Sequence, residues 1–532
     1  MYKQPNFLFI MADQLTALAL ALYGHKVVKT PHIDALAAQG TTFLNAYCNF
    51  PICAPARFAM LSGQLTSRIG AWDNAAEFAA SVPTFLHYLR KLGYHTSLSG
   101  KMHFVGPDQL HGYEERLTTD IYPSDFSWTP DWLREGPPVS GARMSMRSVV
   151  ESGLCQRNLQ IDYDEEVHFQ GVQKIYDLAR GGQEKPFFLT VSYTHPHNPF
   201  ITTQAYWDRY DHAAIDAPAV PFIPVDRRDP HSKRHYYLTR MDEYDITEAQ
   251  VRTARHAYYG MTSYFDDKVG ELIDALDATG LGKNTIVILT ADHGEMLGER
   301  GMWYKMCLFE NAMRVPLVVR LPQQRSTERV TENVSHVDLL PTLLDLATSG
   351  KPPKTIEPVD GHSLVPLLRG EDAQWSDEVF AEYTAEGAIA PCFMVRKGRF
   401  KYIWCEKDGG QLFDLAADPR EIDDLARTPA AAAVEAEMQK AVHARWDVRA
   451  INEAVLASQR RRLFLQPILM SGKPTPWDYQ PVRDASQQYV RSGKSPTITK
   501  GLSRLPYVDP APLDHPRPEV GELRKLAVGG SE

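Results

Sequence analysis

Cysteine is scarce in this chain, at 6 of 532 residues, and no two cysteines stand as CxxC. That excludes a dense disulfide framework and fits mostly reduced, buried thiols in a cytosolic protein. No apolar run approaches the ~20 residues that span a bilayer, so no transmembrane helix is expected. The mean hydropathy of −0.34 agrees. Basic residues are not in excess either, because 57 Lys and Arg stand against 66 Asp and Glu, a formal charge of −9. Without a basic footprint, neither nucleic acid nor an anionic membrane surface is an expected partner. The amino terminus lacks the basic start, long apolar stretch and small-residue cleavage site of a secretory signal. Its short apolar run, Asn6 to Met11, stops before Asp13. A cytoplasmic protein is therefore expected. Internal repeats and low-complexity tracts are missing too.

What is present reads as a folded enzyme-sized chain. Hydrophobic residues at 43% and charged residues at 23% are ordinary for a globular protein. Over the first two-thirds, short β-like runs alternate with helical stretches, the pattern of a mostly parallel α/β sheet covered by helices. Strands are predicted at 6–11, 95–99, 186–193, 285–290 and 315–320, and helices at 31–40, 56–62, 83–93, 163–180 and 246–279. Residues 105–160 and 200–245 are predicted to be long ordered excursions around a pocket. The expected domains are 1–375, a catalytic α/β domain; 376–465, a smaller α/β domain with a hairpin turning at Gly398 and a helix near 430–460; and 466–532, an extended tail. The tail is rich in proline but carries Trp477, Tyr479, Tyr489 and Tyr507. Those aromatics suit packing against this subunit or a neighbour, so a homo-oligomer, dimer or tetramer, is expected.

Four predicted strands end in side chains suited to metals, anions or proton transfer. The first leads into Asp13-Gln14, the second into Lys101 and His103, the third into His195-Pro196-His197 and the fourth into Asp292-His293. In open parallel sheets, ligands bind outside the carboxyl ends of the strands. Asp13, Gln14, Asp292 and His293 offer two carboxylates, an amide oxygen and an imidazole. That set can hold one divalent cation, calcium by its oxygens or manganese because of the imidazole. Cys53-Ala54-Pro55-Ala56-Arg57 places a cysteine just before a predicted helix with a guanidinium in its first turn. Helix N–H groups and Arg57 both favour negative charge there, which suits an anionic nucleophile and a tetrahedral oxyanion.

Cys53-x-Pro55-x-Arg57 resembles the signature of type I sulfatases, whose cysteine is oxidised to formylglycine and which share the alkaline-phosphatase fold. Asp13, Lys101-Met102-His103, Thr194 to His197 and Asp292-His293-Gly294-Glu295 agree with that pattern. Within the superfamily the chain is most similar to the choline sulfatases. The matching segments are Asp73-Asn74-Ala75-Ala76-Glu77, Gly106 to Gly112, Thr118 to Pro123 and Leu297 to Gly301. The stretch 142–148 departs from that subgroup, in which an aromatic run is expected.

The resemblance implies a maturation enzyme that converts Cys53 to formylglycine, whose hydrate attacks sulfur with help from the metal. It implies Arg57, Lys101 and Lys305 as neutralisers of the sulfate oxygens, with Asn74 as a further polar contact. His197 is implied to protonate the leaving alcohol, and His103 to take the proton that expels sulfate. Trp128, Trp132 and Glu386 are left to contact a cationic substrate. A sulfate ester, choline-O-sulfate first and an aryl sulfate next, is the expected substrate, with phosphonate monoesters or phosphodiesters as further substrates. Two other readings stay open at this point: phosphoryl transfer through an unmodified Cys53, and oxyanion binding without turnover.

Overall fold

The computed structural model describes residues 4–134, 144–181, 185–322, 324, 327–371, 374–473 and 476–481. Its strands are β1 (Asn6–Ala12), β2 (Thr41–Tyr47), β3 (His95–Gly100), β4 (Glu115–Arg116), β5 (Gly153–Leu154), β6 (Phe187–Ser192) and β7 (Ile201–Thr202). They continue with β8 (Thr285–Ala291), β9 (Leu317–Arg320), β10 (Glu328–Ser335), β11 (Glu378–Tyr383), β12 (Cys392–Lys397), β13 (Phe400–Cys405) and β14 (Gly409–Asp414). Eight of them form one sheet in the order β10-β2-β9-β8-β1-β6-β3-β4. It is mostly parallel, and β9 runs against both neighbours. A second sheet, β11-β12-β13-β14, is antiparallel throughout.

The central strands are apolar on both faces. Every residue of β1, β6 and β8 is buried, as expected of parallel strands covered by helices on each side. The helices Leu159–Arg180 and Glu248–Ala278 are the longest of the cover. Gly171 and Leu272 lie close together against Val191 of β6.

Register decides where the chemistry goes. β8, β1, β6 and β3 are four consecutive parallel neighbours, with Ala12 beside Ala291, Met11 beside Ser192, and Gly100 also beside Ser192. Their carboxyl ends are level, so the residues that follow each strand leave the sheet along one edge. Gly100 is required there. Its φ is +109°, and a Cβ would lie 2.0 Å from the carbonyl oxygen of Ser192.

Several predicted elements shift. The strand expected at 315–320 begins at Leu317, because Pro316 has no N–H for a ladder. The helix expected near 430–460 is two helices, Ala432–Arg445 and Val448–Leu469. Trp446 leaves the first to fill the core of the small sheet, stacking on Phe393 at 4.4 Å, and Asp447 caps the second. The excursions at 105–134 and 200–245 are folded, with short helices at Gln204–Trp207 and Pro230–Leu238. The start of the tail lies on this subunit: Trp477 packs edge-on against Phe126 at 5.2 Å, and Ser124 donates to Asp478. Tyr479 lies under Arg116. Tyr489, Tyr507 and everything beyond 481 are outside the described residues. No described helix is long and apolar enough to cross a membrane.

Candidate active site

The nucleophile candidate sits at the first residue of the helix Cys53–Ser62, one step further in than its spacing implied. Ala54 donates its N–H to Asn74 Oδ1 at 2.9 Å, and Pro55 has none to give. The first turn therefore presents fewer free donors than a helix end usually does. Asn74 thus caps the nucleophile's helix, a role its polarity alone did not distinguish from substrate contact.

Cys53 is buried, with Sγ 3.2 Å from His293 Nε2 and 3.8 Å from Asp13 Oδ1. Burial first, then Asp13, push its thiol up to about 11. An unmodified thiol held this way stays protonated near neutrality. His293 Nδ1 lies 3.0 Å from the Gly294 carbonyl and donates to it, which leaves the Nε2 lone pair facing the cluster. Burial holds that imidazole down to about 4, so it is neutral.

Ligating atoms of Asp13, Cys53, Asp292 and His293 all lie within 4.8 Å of one another. Two carboxylates and a neutral imidazole with its lone pair inward are the donor set that a divalent cation requires, so the residues fit one. Two fixed cations already balance the carboxylates. Arg57 donates from Nε to Asp292 Oδ2 at 2.9 Å, with Nη2 in ion-pair range of the same oxygen at 2.9 Å, and donates from Nη1 to the Lys101 carbonyl and Ser192 Oγ. Lys101 pairs with Asp13 Oδ2 and lies 4.1 Å above the Tyr122 ring. Burial alone would raise the Asp13 carboxyl, but Lys101, Arg57 and Lys305 together hold it well below the usual carboxylate range. Asp292 Oδ1 also accepts from the backbone N–H of Gln14 and His293.

Gln14 is placed differently from its expected role. Its side-chain oxygen accepts from Lys305, and its amide donates to Asn198 and to Glu295. Glu295 is fully buried, carries no role in the sequence reading and has its carboxyl pushed up to about 7 by burial. It also accepts from the backbone of Leu297 and Tyr304, so it braces the loop that delivers Lys305. Its position three residues after Asp292 was the available signal.

The proton-transfer candidates occupy the same space. Lys305 Nζ is 2.8 Å from His197 Nε2, and His197 Nδ1 donates to the Asn198 carbonyl. Burial and the Lys305 charge keep His197 neutral, well below its ordinary value. His103 is buried, with both ring nitrogens lacking a hydrogen-bond partner among the described residues. Its ring packs against Tyr122 at 5.1 Å and edge-on against Trp128 at 5.4 Å. Burial and Lys101 drive it down to about 3. Asp120 fixes its backbone, accepting from the N–H of Met102 and His103. Tyr122, with its hydroxyl 3.3 Å from His197 Nδ1, ties the two histidines together and was not assigned from sequence.

Backbone strain marks the same residues. Gln14, His103, Tyr304 and Met306 have φ of +64°, +56°, +69° and +68°, values that side-chain-bearing residues rarely adopt. The surrounding packing must over-determine those conformations.

The predicted cation contacts divide. Trp128 reaches the histidine cluster. Trp132 donates its indole N–H to the Ala385 carbonyl at 3.0 Å and packs beside Trp72 and Val455. Glu386 is buried, its Oε2 has no hydrogen-bond partner among the described residues, and burial followed by Asp73 pushes its carboxyl up to about 7. Asp73 itself is paired with Arg462 at 2.6 and 2.7 Å. Of the stretch 142–148, residues 142 and 143 lie outside the described residues.

Comparison with known proteins bears on the whole chain. The family model described as Sulfatase matches residues 5–349. That of the N-sulphoglucosamine sulphohydrolase C-terminal region matches 298–447, and that of the choline sulfatase enzyme C terminus matches 453–495. A choline-sulfatase of Rhizobium meliloti (strain 1021) is 43% identical over 512 residues, covering 94% of this chain and 99% of the relative. Arylsulfatase K of Mus musculus is 30% identical over 456 residues, covering 80% and 76%. The solved phosphonate monoester hydrolase from Silicibacter pomeroyi superposes with a TM-score of 0.67 at 24% identity, over 84% of this chain and 96% of that one.

Proposed function

This chain belongs to the sulfatase family and is a sulfuric ester hydrolase, and from that premise we propose that it releases sulfate from choline-O-sulfate using a formylglycine at position 53. The observation that carries the reading is the convergence of Cys53, two buried carboxylates, a neutral imidazole and two basic side chains at one sheet edge. Asp13, Asp292 and His293 would hold a calcium or manganese ion, and Gln14 would join them if its carboxamide leaves Lys305. Such an ion supplies positive charge that polarises the sulfate group and acidifies a neighbouring hydroxyl. Formylglycine, once hydrated, supplies that hydroxyl.

Arg57, Lys101 and Lys305 receive the sulfate oxygens. A bound sulfate also offsets the ammonium charge that keeps His197 neutral, which raises its pKa and lets it protonate the departing alcohol. His103, buried and without a partner, takes the proton from the remaining hydroxyl so that sulfate leaves. The reading includes a cytoplasmic protein, matured at Cys53 by a formylglycine-generating enzyme and assembled as a homo-oligomer through its tail. A chelator should abolish turnover, and calcium or manganese should restore it; activity that survives exhaustive chelation contradicts the metal assignment.

Choline is favoured over an aryl group by Glu386. Its orphan carboxylate is in electrostatic reach of Lys305, and a quaternary ammonium would return it to the ionised form. Trp128, packed against His103 and Tyr122, offers a ring face on the histidine side of the site. The direct test compares kcat/KM for choline-O-sulfate and p-nitrophenyl sulfate on metal-replete enzyme. Preference for choline-O-sulfate is expected; preference for the aryl ester overturns the substrate assignment. In the same assay, Glu386→Gln should lower kcat/KM for choline-O-sulfate roughly 10–30-fold, chiefly through KM. The aryl ester, having no cation, should be unaffected.

A further inference from the structure

A second cluster of metal-ligating side chains lies outside the catalytic centre, between the small sheet and the helix Pro230–Leu238. Ligating atoms of His231, Cys392 and Asp408 fall within 4.8 Å of one another and border a small cavity. Cys405 and Cys307 line the same cavity; Cys405 stands outside that 4.8 Å group, so its sulfur would have to move inward to complete a four-donor set.

Two observations point to a ligand. The first is His231. Its Nε2 donates to the Met306 carbonyl at 2.7 Å, which fixes the tautomer and leaves Nδ1 as a lone pair. That Nδ1 is shielded from solvent and has no hydrogen-bond partner among the described residues. The second is the hairpin register. Lys397 and Phe400 close a two-residue turn at Gly398 and Arg399, and such a closing pair exchanges both of its backbone hydrogen bonds. Bonded and non-bonded pairs alternate from there, and Cys392 opposite Cys405 is five steps along. It is therefore a non-bonded pair, the type whose side chains come closest. Both sulfurs approach the Ala390 carbonyl, at 3.6 and 3.9 Å.

We propose that His231 Nδ1, the sulfurs of Cys392 and Cys405, and Asp408 form a zinc site. Two thiolates and an imidazole select a borderline-soft cation, and a tetrahedral ion takes four such donors. The charges close. Two thiolates and Asp408 contribute −3, zinc +2, and Arg234, which forks onto both Asp408 oxygens at 2.9 and 2.5 Å, contributes +1. Each thiol gives its proton to solvent as the metal binds. This centre differs from the oxygen-rich one at Asp13, so the two would sort hard and soft cations between them.

The site also bears on the catalytic loop. The same helix holds Met306 through His231 and the Lys305 carbonyl through His235 at 2.9 Å. A metal at His231 would tie the small sheet to the segment that carries Lys305.

The test is metal analysis of full-length protein loaded with zinc, then dialysed against metal-free buffer containing calcium. One retained equivalent of zinc is expected in the wild type and in Cys53→Ala, with its loss in Cys392→Ser and in His231→Gln. Cobalt loading should give thiolate-to-cobalt charge-transfer absorption that persists in Cys53→Ala and falls in Cys392→Ser. Thermal unfolding of each variant reports whether it folds, and the two variants replace different donors, so a misfolded one leaves the other decisive. No retained zinc in the wild type overturns the proposal. So does zinc that disappears with Cys53, or a peptide map showing Cys392 and Cys405 joined as a disulfide in protein incubated with zinc. None of these outcomes depends on sulfate release.

Discussion

Cys53→Ala is expected to lower sulfate release by ~10⁴-fold or more while leaving the fold intact, because it removes the group that attacks sulfur. Losses of that size follow when a nucleophile is deleted but charge stabilisation and binding remain. Here the remainder is substantial: Arg57, Lys101 and Asp292 do not depend on the sulfur for their hydrogen bonds, and Asp13 keeps its pairing with Lys101. The fold should tolerate the change because it removes one atom from a buried site, which costs on the order of 1 kcal/mol and a few degrees of Tm. Unchanged Tm with undiminished turnover would exclude position 53 from the chemistry.

The second large effect depends on the leaving group. His197→Ala should lower kcat on choline-O-sulfate by ~10²–10⁴-fold, the range for losing a general acid. An aliphatic alkoxide departs poorly without a proton, whereas p-nitrophenolate carries its own charge. The same variant should therefore lose less than ~10-fold on p-nitrophenyl sulfate. Equal losses on both esters would make His197 a sulfate-binding residue. Its contact with Lys305 makes that alternative concrete, since losing the imidazole also frees the ammonium. The leaving-group comparison separates the two roles.

The carboxyl-end rule carried most of the site from sequence to structure. Asp13, Lys101, His197 and Asp292 follow four different runs of the chain, and nothing in their spacing says those runs are neighbours. The register of β8, β1, β6 and β3 brings them level. Side-chain partnership was not legible in the same way. Gln14 is a credible metal donor by type, but Lys305 and Glu295 claim its two ends. Asn74 is a polar residue near the nucleophile, and only the backbone path shows it capping Ala54. Glu295 and Tyr122 lie inside recognisable motifs, yet their roles depend on which loop folds over them. Both brace groups that sequence had already found, which is why they emerge only with the coordinates.

The helix break at Trp446 has a related cause. No Pro or Gly interrupts 430–460, but burying Trp446 against Phe393 and Phe380 requires the chain to turn out of the helix. Burying a large aromatic side chain outweighs the one or two hydrogen bonds that the break forfeits.

The most direct test of the central claim is the mass of the peptide containing residue 53, taken from protein that is releasing sulfate. The expected result is an aldehyde, lighter than the thiol by one sulfur and two hydrogens and heavier by one oxygen. A free thiol at position 53 in fully active protein would contradict it, and would assign the reaction to a nucleophile other than formylglycine.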